Sequence, residues 1–294
     1  MSCPYGQLPP KPYRSRYIQQ YFPPGVHKIL DHRGFFFGQV DDSTVLKYPS
    51  CPLDEDDDIS RLKQEHLLLA IIGRHPRVIA CKGMTENGLL LELVENGNMS
   101  KYISESKQPV PSVQQRITWC REIAEAVEHV HSKRVIHCSI VPNKVLIDKD
   151  LHIKLADIEG SFLDEGGKTV VHSRVAEPIR YYCPREDSCT ATWKTDLFAL
   201  GSTIHFVMLG EHVFPDITSF EDMLGGKIQS RFSNGVFPEG SHACETITRK
   251  CWQQGYDSAT EVLKDIKAIE KLHVAEKDPG LKAASSKCIV PSVL

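Results

Sequence analysis

The apolar residues of this chain change their spacing once along the sequence, at Glu95-Asn96-Gly97. Before that point, short runs rich in β-branched and aromatic residues, such as GFFFGQV and TVLKYP, alternate with turn residues, which is typical of strands. One segment there, ISRLKQEHLLLAII, has helical spacing, and Asp58 or Ser60 is expected to cap it. After that point, apolar residues recur at three- and four-residue steps, most clearly from Val113 to Ser132. The sequence therefore predicts an α+β fold in which strands precede helices.

This division also predicts the domain organisation. We expect one bilobal domain over residues 25–275, which is long enough to bury a substantial core. Its small β-rich lobe should cover about 25–93 and its larger helical lobe about 98–275, with a hinge at about 92–97.

The two ends and the composition exclude several classes of protein. Six prolines predict an irregular leader over residues 1–24, and residues 276–294 read as a polar tail. The net charge of −3 favours neither nucleic acid nor membrane as a partner, and no apolar run is long enough to span a bilayer. Ten cysteines without a Cys-x-x-Cys pair are expected to be reduced thiols in an intracellular, cytoplasmic protein.

Three pairs of segments carry a resemblance to a known family. They are TVLKYP with QEHLLL, VIHCSIVPNKVLID with IKLADIEG, and RYYCPRE with TDLFALG. Their order and spacing resemble the signatures of eukaryotic Ser/Thr protein kinases, in particular small stand-alone fungal members, over about residues 26–272. The resemblance implies a protein kinase-like fold, ATP and Mg²⁺ as cofactors, and a protein as substrate or partner.

The same resemblance implies which residues hold the phosphates and the metal. Lys47 would hold the α- and β-phosphates of ATP, and Glu65 would hold Lys47. The alternative, a solvated lysine at a strand end, is less favoured by its context after TVL. Asp157 would bind Mg²⁺, but the family's Asp-Phe-Gly is Asp157-Ile158-Glu159 here. Glu159 removes the backbone freedom that the glycine supplies and adds either a charge or a substitute oxygen ligand.

The adenine site is implied at the junction of the two lobes. Leu91 would be the gatekeeper, the backbone of Glu92 and Val94 would face the adenine edge, and Leu146 would form the floor. The alternative is that these four residues belong only to the core and the hinge.

The catalytic loop departs most from the family pattern. His-Arg-Asp-Leu-Lys-Pro-x-Asn appears here as HCSIVPNK, residues 137–144. Ser139 stands at the proton-acceptor position, and a hydroxyl that is not ionised near neutral pH is a poor base; general-base help is worth about 10²–10⁴ in rate. Lys144 stands where an asparagine would bind the second Mg²⁺, and its charge opposes a metal. No residue is therefore assigned as catalytic.

The phosphate-covering loop is also reduced. The family's Gly-x-Gly-x-x-Gly corresponds to a stretch with two glycines, Gly34 and Gly38, at a different spacing. His32 and Arg33 either attract phosphate or are only turn residues, and we favour the turn interpretation.

Three functions fit these residues. The first is a pseudokinase that binds ATP through Lys47, Glu65 and Asp157 and acts as a scaffold or regulator. The second is a slow or atypical Ser/Thr kinase, in which positioning leaves a residual rate or Asp164 or Glu165 of the following loop substitutes as acceptor. The third is a decaying gene copy without function. We expect the first, because the framework of the large lobe is kept and the chemistry is depleted in one loop.

Overall fold

A computed structural model of the chain describes residues 20–50, 55–105, 110–188, 190–219, 222 and 226–277. Most of the expected leader and of the expected tail lies outside these residues, so both stay predictions.

The first lobe is a five-stranded antiparallel sheet with one helix. Its strands are β1 (Lys28–His32), β2 (Phe35–Asp41), β3 (Thr44–Pro49), β4 (Cys81–Thr85) and β5 (Gly88–Glu92), in the order β1-β2-β3-β5-β4. The central strand β3 is buried at every position. Its Lys47 is paired with Phe37 of β2 on one side and with Leu89 of β5 on the other.

Helix α1 (Glu55–Ile72) packs on this sheet, and it begins earlier than the sequence predicted. Asp58 and Ser60 lie inside the helix, so the prediction that either residue caps it was wrong. The acidic residues 55–58 form the first turn instead, where the helix dipole favours negative charge. Asp58 there contacts Arg61, at 3.4 Å.

The second lobe is mainly helical. Its helices are α2 (Met99–Ser104), α3 (Val113–Ser132), α4 (Trp193–Leu209), α5 (Lys227–Ser233), α6 (Glu245–Trp252) and α7 (Ala259–Lys277). Helix α3 begins after Ser112, whose side chain accepts a hydrogen bond from the Gln115 N–H. Helix α4 is buried along most of its length. No helix among the described residues is both long and apolar enough to cross a bilayer.

Short strands line the junction of the lobes. They are β6 (Val135–Ile136), β7 (Val145–Ile147), β8 (Ile153–Leu155), β9 (Ser161–Leu163) and β10 (Thr169–Val171), with a 3₁₀ turn at Pro142–Lys144. Strands β7 and β8 form a hairpin, and β10, β9 and β6 form a small sheet. One hydrophobic core runs through both lobes. The predicted α+β fold, with a small strand-rich lobe and a larger helical lobe, is confirmed.

Candidate functional site

The cleft between the lobes is centred on Lys47. Its Nζ lies 2.6 Å from Glu65 Oε2, 2.8 Å from Asp157 Oδ1 and 3.3 Å from Glu159 Oε1. The structure therefore brings together the three residues to which the sequence assigned the phosphates and the metal.

Strong electrostatic compensation keeps these charges in the interior. The side chains of Lys47 and Glu65 are 1% and 0% exposed. Burial alone would lower the pKa of Lys47, but the three carboxylates outweigh burial and raise it well above its usual range. Burial raises the pKa of Glu65, and Lys47 opposes that change. The buried cluster is stable only as a set, because each charge depends on its partners.

Arg33 is a second cation at Asp157. Its Nη1 lies 2.8 Å from Asp157 Oδ2 and also donates to the backbone carbonyl of Asn143. Arg33 does belong to the turn between β1 and β2, but its side chain reaches into the cleft. The sequence-based interpretation of Arg33 as only a turn residue was therefore incomplete. Burial would raise the pKa of Asp157, yet Lys47, Arg33 and Lys144 lower it far below its usual range.

Arg61 is a site residue that the sequence reasoning missed. Its Nη2 lies 2.7 Å from Glu159 Oε2, so both oxygens of Glu159 contact cations. The signal was present in the sequence, because Arg61 precedes Glu65 by four residues on α1 and hence shares its face. Burial would raise the pKa of Glu159, but the surrounding cations lower it.

The catalytic loop keeps its framework although its chemistry is changed. The Asp196 carboxylate accepts hydrogen bonds from the N–H groups of His137 and Cys138, at 2.7 and 2.8 Å. Ser139 follows in this fixed loop and is 3% exposed. Lys144 lies beside the metal position, and its Nζ donates to the backbone carbonyl of Asp157 at 3.4 Å. Burial lowers the pKa of Lys144, partly offset by Asp157 and Glu159.

The proposed substitute acceptors lie in the turn between β9 and β10. Asp164 Oδ1 accepts hydrogen bonds from the N–H groups of Gly166 and Lys168, both at 2.9 Å. Glu165 is 90% exposed and lies 3.8 Å from Arg134. Asp164 is thus used to shape its own turn, and the structure gives no support to its replacing the missing base.

The residues assigned to adenine lie around the hinge. Leu91 is 4% exposed near the end of β5, and Val94 follows in the hinge. The Glu92 N–H donates to the Ala80 carbonyl at 2.9 Å, and its Oε1 accepts from the Ala80 N–H at 2.7 Å and pairs with Lys154 at 2.9 Å. Leu146 lies on β7. Their contact with adenine stays a prediction.

A cavity of about 200 Å³ lies in the cleft beside Lys47 and Asp157. It is lined by four cations, two carboxylates, Asn143 and Val175. The cations are Arg33, Lys47, Arg61 and Lys144. Such a donor set fits the phosphates of a nucleotide, since all four side chains donate to oxygen anions.

The same groups do not fit Mg²⁺. Each of the four carboxylate oxygens of Asp157 and Glu159 is already in contact with a protein cation. Mg²⁺ requires oxygen ligands at about 2.0–2.1 Å in a near-octahedral arrangement. Nowhere in the described residues do three or more His, Cys, Asp or Glu side chains form a group that could hold a metal ion.

A five-stranded lobe that contains a buried lysine–glutamate pair, followed by a helical lobe, is the arrangement of a protein kinase domain. A family model described as protein tyrosine and serine/threonine kinase matches residues 41–264. This chain therefore belongs to the protein tyrosine and serine/threonine kinase family, as the sequence predicted. Kinase domains generally use ATP and Mg²⁺ and act on proteins. Membership of the fungal subgroup stays a prediction.

The chain is similar to kinase domains of much longer proteins. Receptor-like kinase TMK4 of Arabidopsis thaliana is 27% identical over 205 residues, which are 64% of this chain and 22% of that protein. Fibroblast growth factor receptor homolog 1 of Drosophila melanogaster is 25% identical over 258 residues, 76% of this chain and 34% of that protein. Receptor-interacting serine/threonine-protein kinase 1 of Homo sapiens is 34% identical over 119 residues, 39% of this chain and 17% of that protein. The chain thus spans between 17% and 34% of the length of these relatives.

Proposed function

We propose that this chain is a pseudokinase, which binds ATP in the cleft but does not transfer phosphate at the rate of an ordinary kinase. It acts as a scaffold or regulator through a protein partner. The observation that carries the proposal is Ser139, a buried hydroxyl at the position of the proton acceptor.

The loop that holds Ser139 keeps an intact structure. Asp196 holds the backbone of the loop at two successive N–H groups, so Ser139 lies in an ordered loop. A correctly placed loop without a base loses the part of catalysis that depends on proton transfer, about 10²–10⁴ in rate. Lys144 adds a cation at the position where the family binds a metal, and its charge opposes the binding of Mg²⁺ there.

One observation favours a slow or atypical Ser/Thr kinase as the second candidate. Lys47 and Glu65 are joined at 2.6 Å, the pairing that active kinases need to place the phosphates of ATP. Positioning alone can leave a residual rate when the base is absent.

A phosphate-transfer assay tests the proposal. The protein is incubated with radiolabelled ATP, magnesium and a generic basic protein, with an active kinase as positive control. We expect no transfer above background. Transfer that is lost in both Lys47→Ala and Asp157→Asn, checked to be folded at the assay temperature, would favour the second candidate instead.

The cysteines support a reducing, intracellular location as part of the proposal. The six cysteines among the described residues are free thiols, and five of them are buried. Free buried thiols are the usual state in a reducing compartment.

A further inference from the structure

The turn between β1 and β2 occupies the place of the family's glycine-rich loop and has two residues, Arg33 and Gly34. His32 pairs with Phe36 across the hairpin, and the Arg33 N–H donates to the carbonyl of Phe35 at 3.0 Å. Gly34 has a φ of +82°, which side-chain-bearing residues rarely adopt. The Arg33 N–H is thus used inside the turn and is not free to bind a phosphate. The turn instead contributes the side chain of Arg33 to the cleft.

Contacts on several sides fix the guanidinium of Arg33. It lies against Asp157 and the Asn143 carbonyl, and its central carbon is 4.6 Å from the centre of the Phe37 ring. Its Nε is 2.9 Å from Asp31, and the side chain is 16% exposed. A cation is therefore held at the carboxylate that would otherwise bind the metal.

The side chains that line the cavity favour a multivalent anion over a further cation. The lining cations are Arg33, Lys47, Arg61 and Lys144, and the lining carboxylates are Asp157 and Glu159. Lining cations thus exceed lining carboxylates by two, while Glu65, Asp31 and Asp58 contact these cations from outside the lining. A divalent ion would add two positive charges within a few ångströms of the lining cations, which the low dielectric of a buried site penalises.

We propose that Arg33 takes the place of the divalent cation at Asp157, so that the cleft binds a nucleoside triphosphate free of magnesium. This inference rests on the proposed function, because it concerns how the same cleft binds ATP.

The chemistry of the guanidinium suits this role. Arginine has five N–H donors in a fixed plane and no acceptor, so it can bridge a carboxylate and a phosphate at the same time. Lys144 also lines the cavity, and its Nζ donates to the Asp157 carbonyl at 3.4 Å, so it supplies a second charge. Free ATP is more negative than its magnesium complex and therefore gains more from these cations.

Calorimetric titration of the full chain with ATP tests the inference, once in EDTA and once in excess magnesium chloride. We expect binding in EDTA that is equal to or tighter than binding in magnesium. This comparison uses only the wild-type protein, so it does not depend on whether a variant folds.

Two arginine variants locate the effect. Arg33→Gln should weaken binding in EDTA by about tenfold or more, which is the loss of one charge-assisted hydrogen bond. Arg231→Gln is the matched control, because Arg231 pairs with Asp216 on the surface at 2.6 Å, outside the cavity lining. It should leave the affinity unchanged.

A metal readout without nucleotide completes the test. Loss of the free Mn²⁺ signal in electron paramagnetic resonance reports metal uptake. We expect uptake by Arg33→Gln/Lys144→Asn above that of wild type, and its loss when Asp157→Asn is added. The result indicates whether the two cations exclude metal from Asp157.

Several outcomes would overturn the inference. They are tighter binding in magnesium than in EDTA, or equal metal uptake by wild type and the double variant. No binding in either medium would overturn the ATP binding of the proposed function, on which the inference rests, whereas phosphate transfer would overturn only the pseudokinase assignment. The two failures are therefore distinguishable.

Discussion

At the scale of single residues, Lys47 shows how interior charges are maintained. Its ammonium group is buried with three carboxylates within 3.3 Å. An isolated charge in such a place would be very costly, and the cluster is tolerated because opposite charges meet at hydrogen-bonding distance. The same cluster that places phosphates in the family is thus also a structural element of this protein.

Lys47→Ala is expected to lower the free energy of unfolding by about 3–5 kcal/mol, because the carboxylates would stay buried without their shared cation. Lys227→Ala is the control, since it removes an exposed lysine that pairs with Asp222 at 2.6 Å. It should cost less than about 1 kcal/mol. Urea unfolding followed by circular dichroism measures both. Similar small losses in the two variants would contradict the buried-cluster interpretation.

At the scale of elements, Gly160 sets how closely two chain segments approach. It follows Glu159 and precedes β9, which pairs with β6 just before the catalytic loop. A Cβ at this position would lie 1.8 Å from the carbonyl oxygen of Ile136 and 2.8 Å from that of His137. The sequence shows a glycine one position after the family's glycine, and the structure shows that backbone proximity requires it.

Gly160→Ala is therefore expected to destabilise the protein by about 1–3 kcal/mol, as overpacking does, and to loosen the pairing of β6 with β9. Gly166→Ala is the matched control in the same segment, because the nearest atom to its Cβ would be 3.4 Å away. Thermal unfolding measures the stability, and amide hydrogen exchange of Leu163, whose N–H donates to the Arg134 carbonyl just before β6 at 2.9 Å, reports the strand pairing. Equal effects of the two substitutions would show that the close approach is not limiting.

At the scale of the whole molecule, buried histidines connect stability to pH. Burial lowers the pKa of His137, His205 and His242 to about 4 in each case. The ordinary value is 6.5, so the unfolded chain binds more protons than the folded protein between these two values. Stability from these groups is fully present above pH 6.5 and is lost as the pH falls toward 4.

The free energy of unfolding should hence fall steeply from pH 6.5 to 4. Each such histidine contributes a slope of up to about 1.4 kcal/mol per pH unit in this range. His205→Phe should reduce the slope by about that amount, since His205 already packs against the Trp252 ring, with centroids 5.6 Å apart. His27→Phe, at an exposed position, is the control. An unchanged slope in His205→Phe would contradict the role of burial.

The sequence by itself determined the class of fold and most of the site's composition. The change from strand to helix spacing predicted the two lobes, and ordered motifs predicted that Lys47, Glu65 and Asp157 would meet. Local patterns suffice here because periodicity and motif order are properties of the chain alone. The sequence also showed that Ser139 and Lys144 depart from the family motif, because the residue type at a motif position is known from the sequence alone.

Only the tertiary structure showed that Arg33 pairs with Asp157 and Arg61 with Glu159. Arg33 and Asp157 are separated by 124 positions, and Arg61 and Glu159 by 98. No spacing rule links such distant residues, so the sequence could not show that protein cations contact both carboxylate oxygens of Asp157 and both of Glu159. The start of α1 was missed for a related reason, because acidic residues suit both a cap and a first turn. Contacts across the cleft depend on how the two lobes pack, and that packing is a property of the whole folded chain.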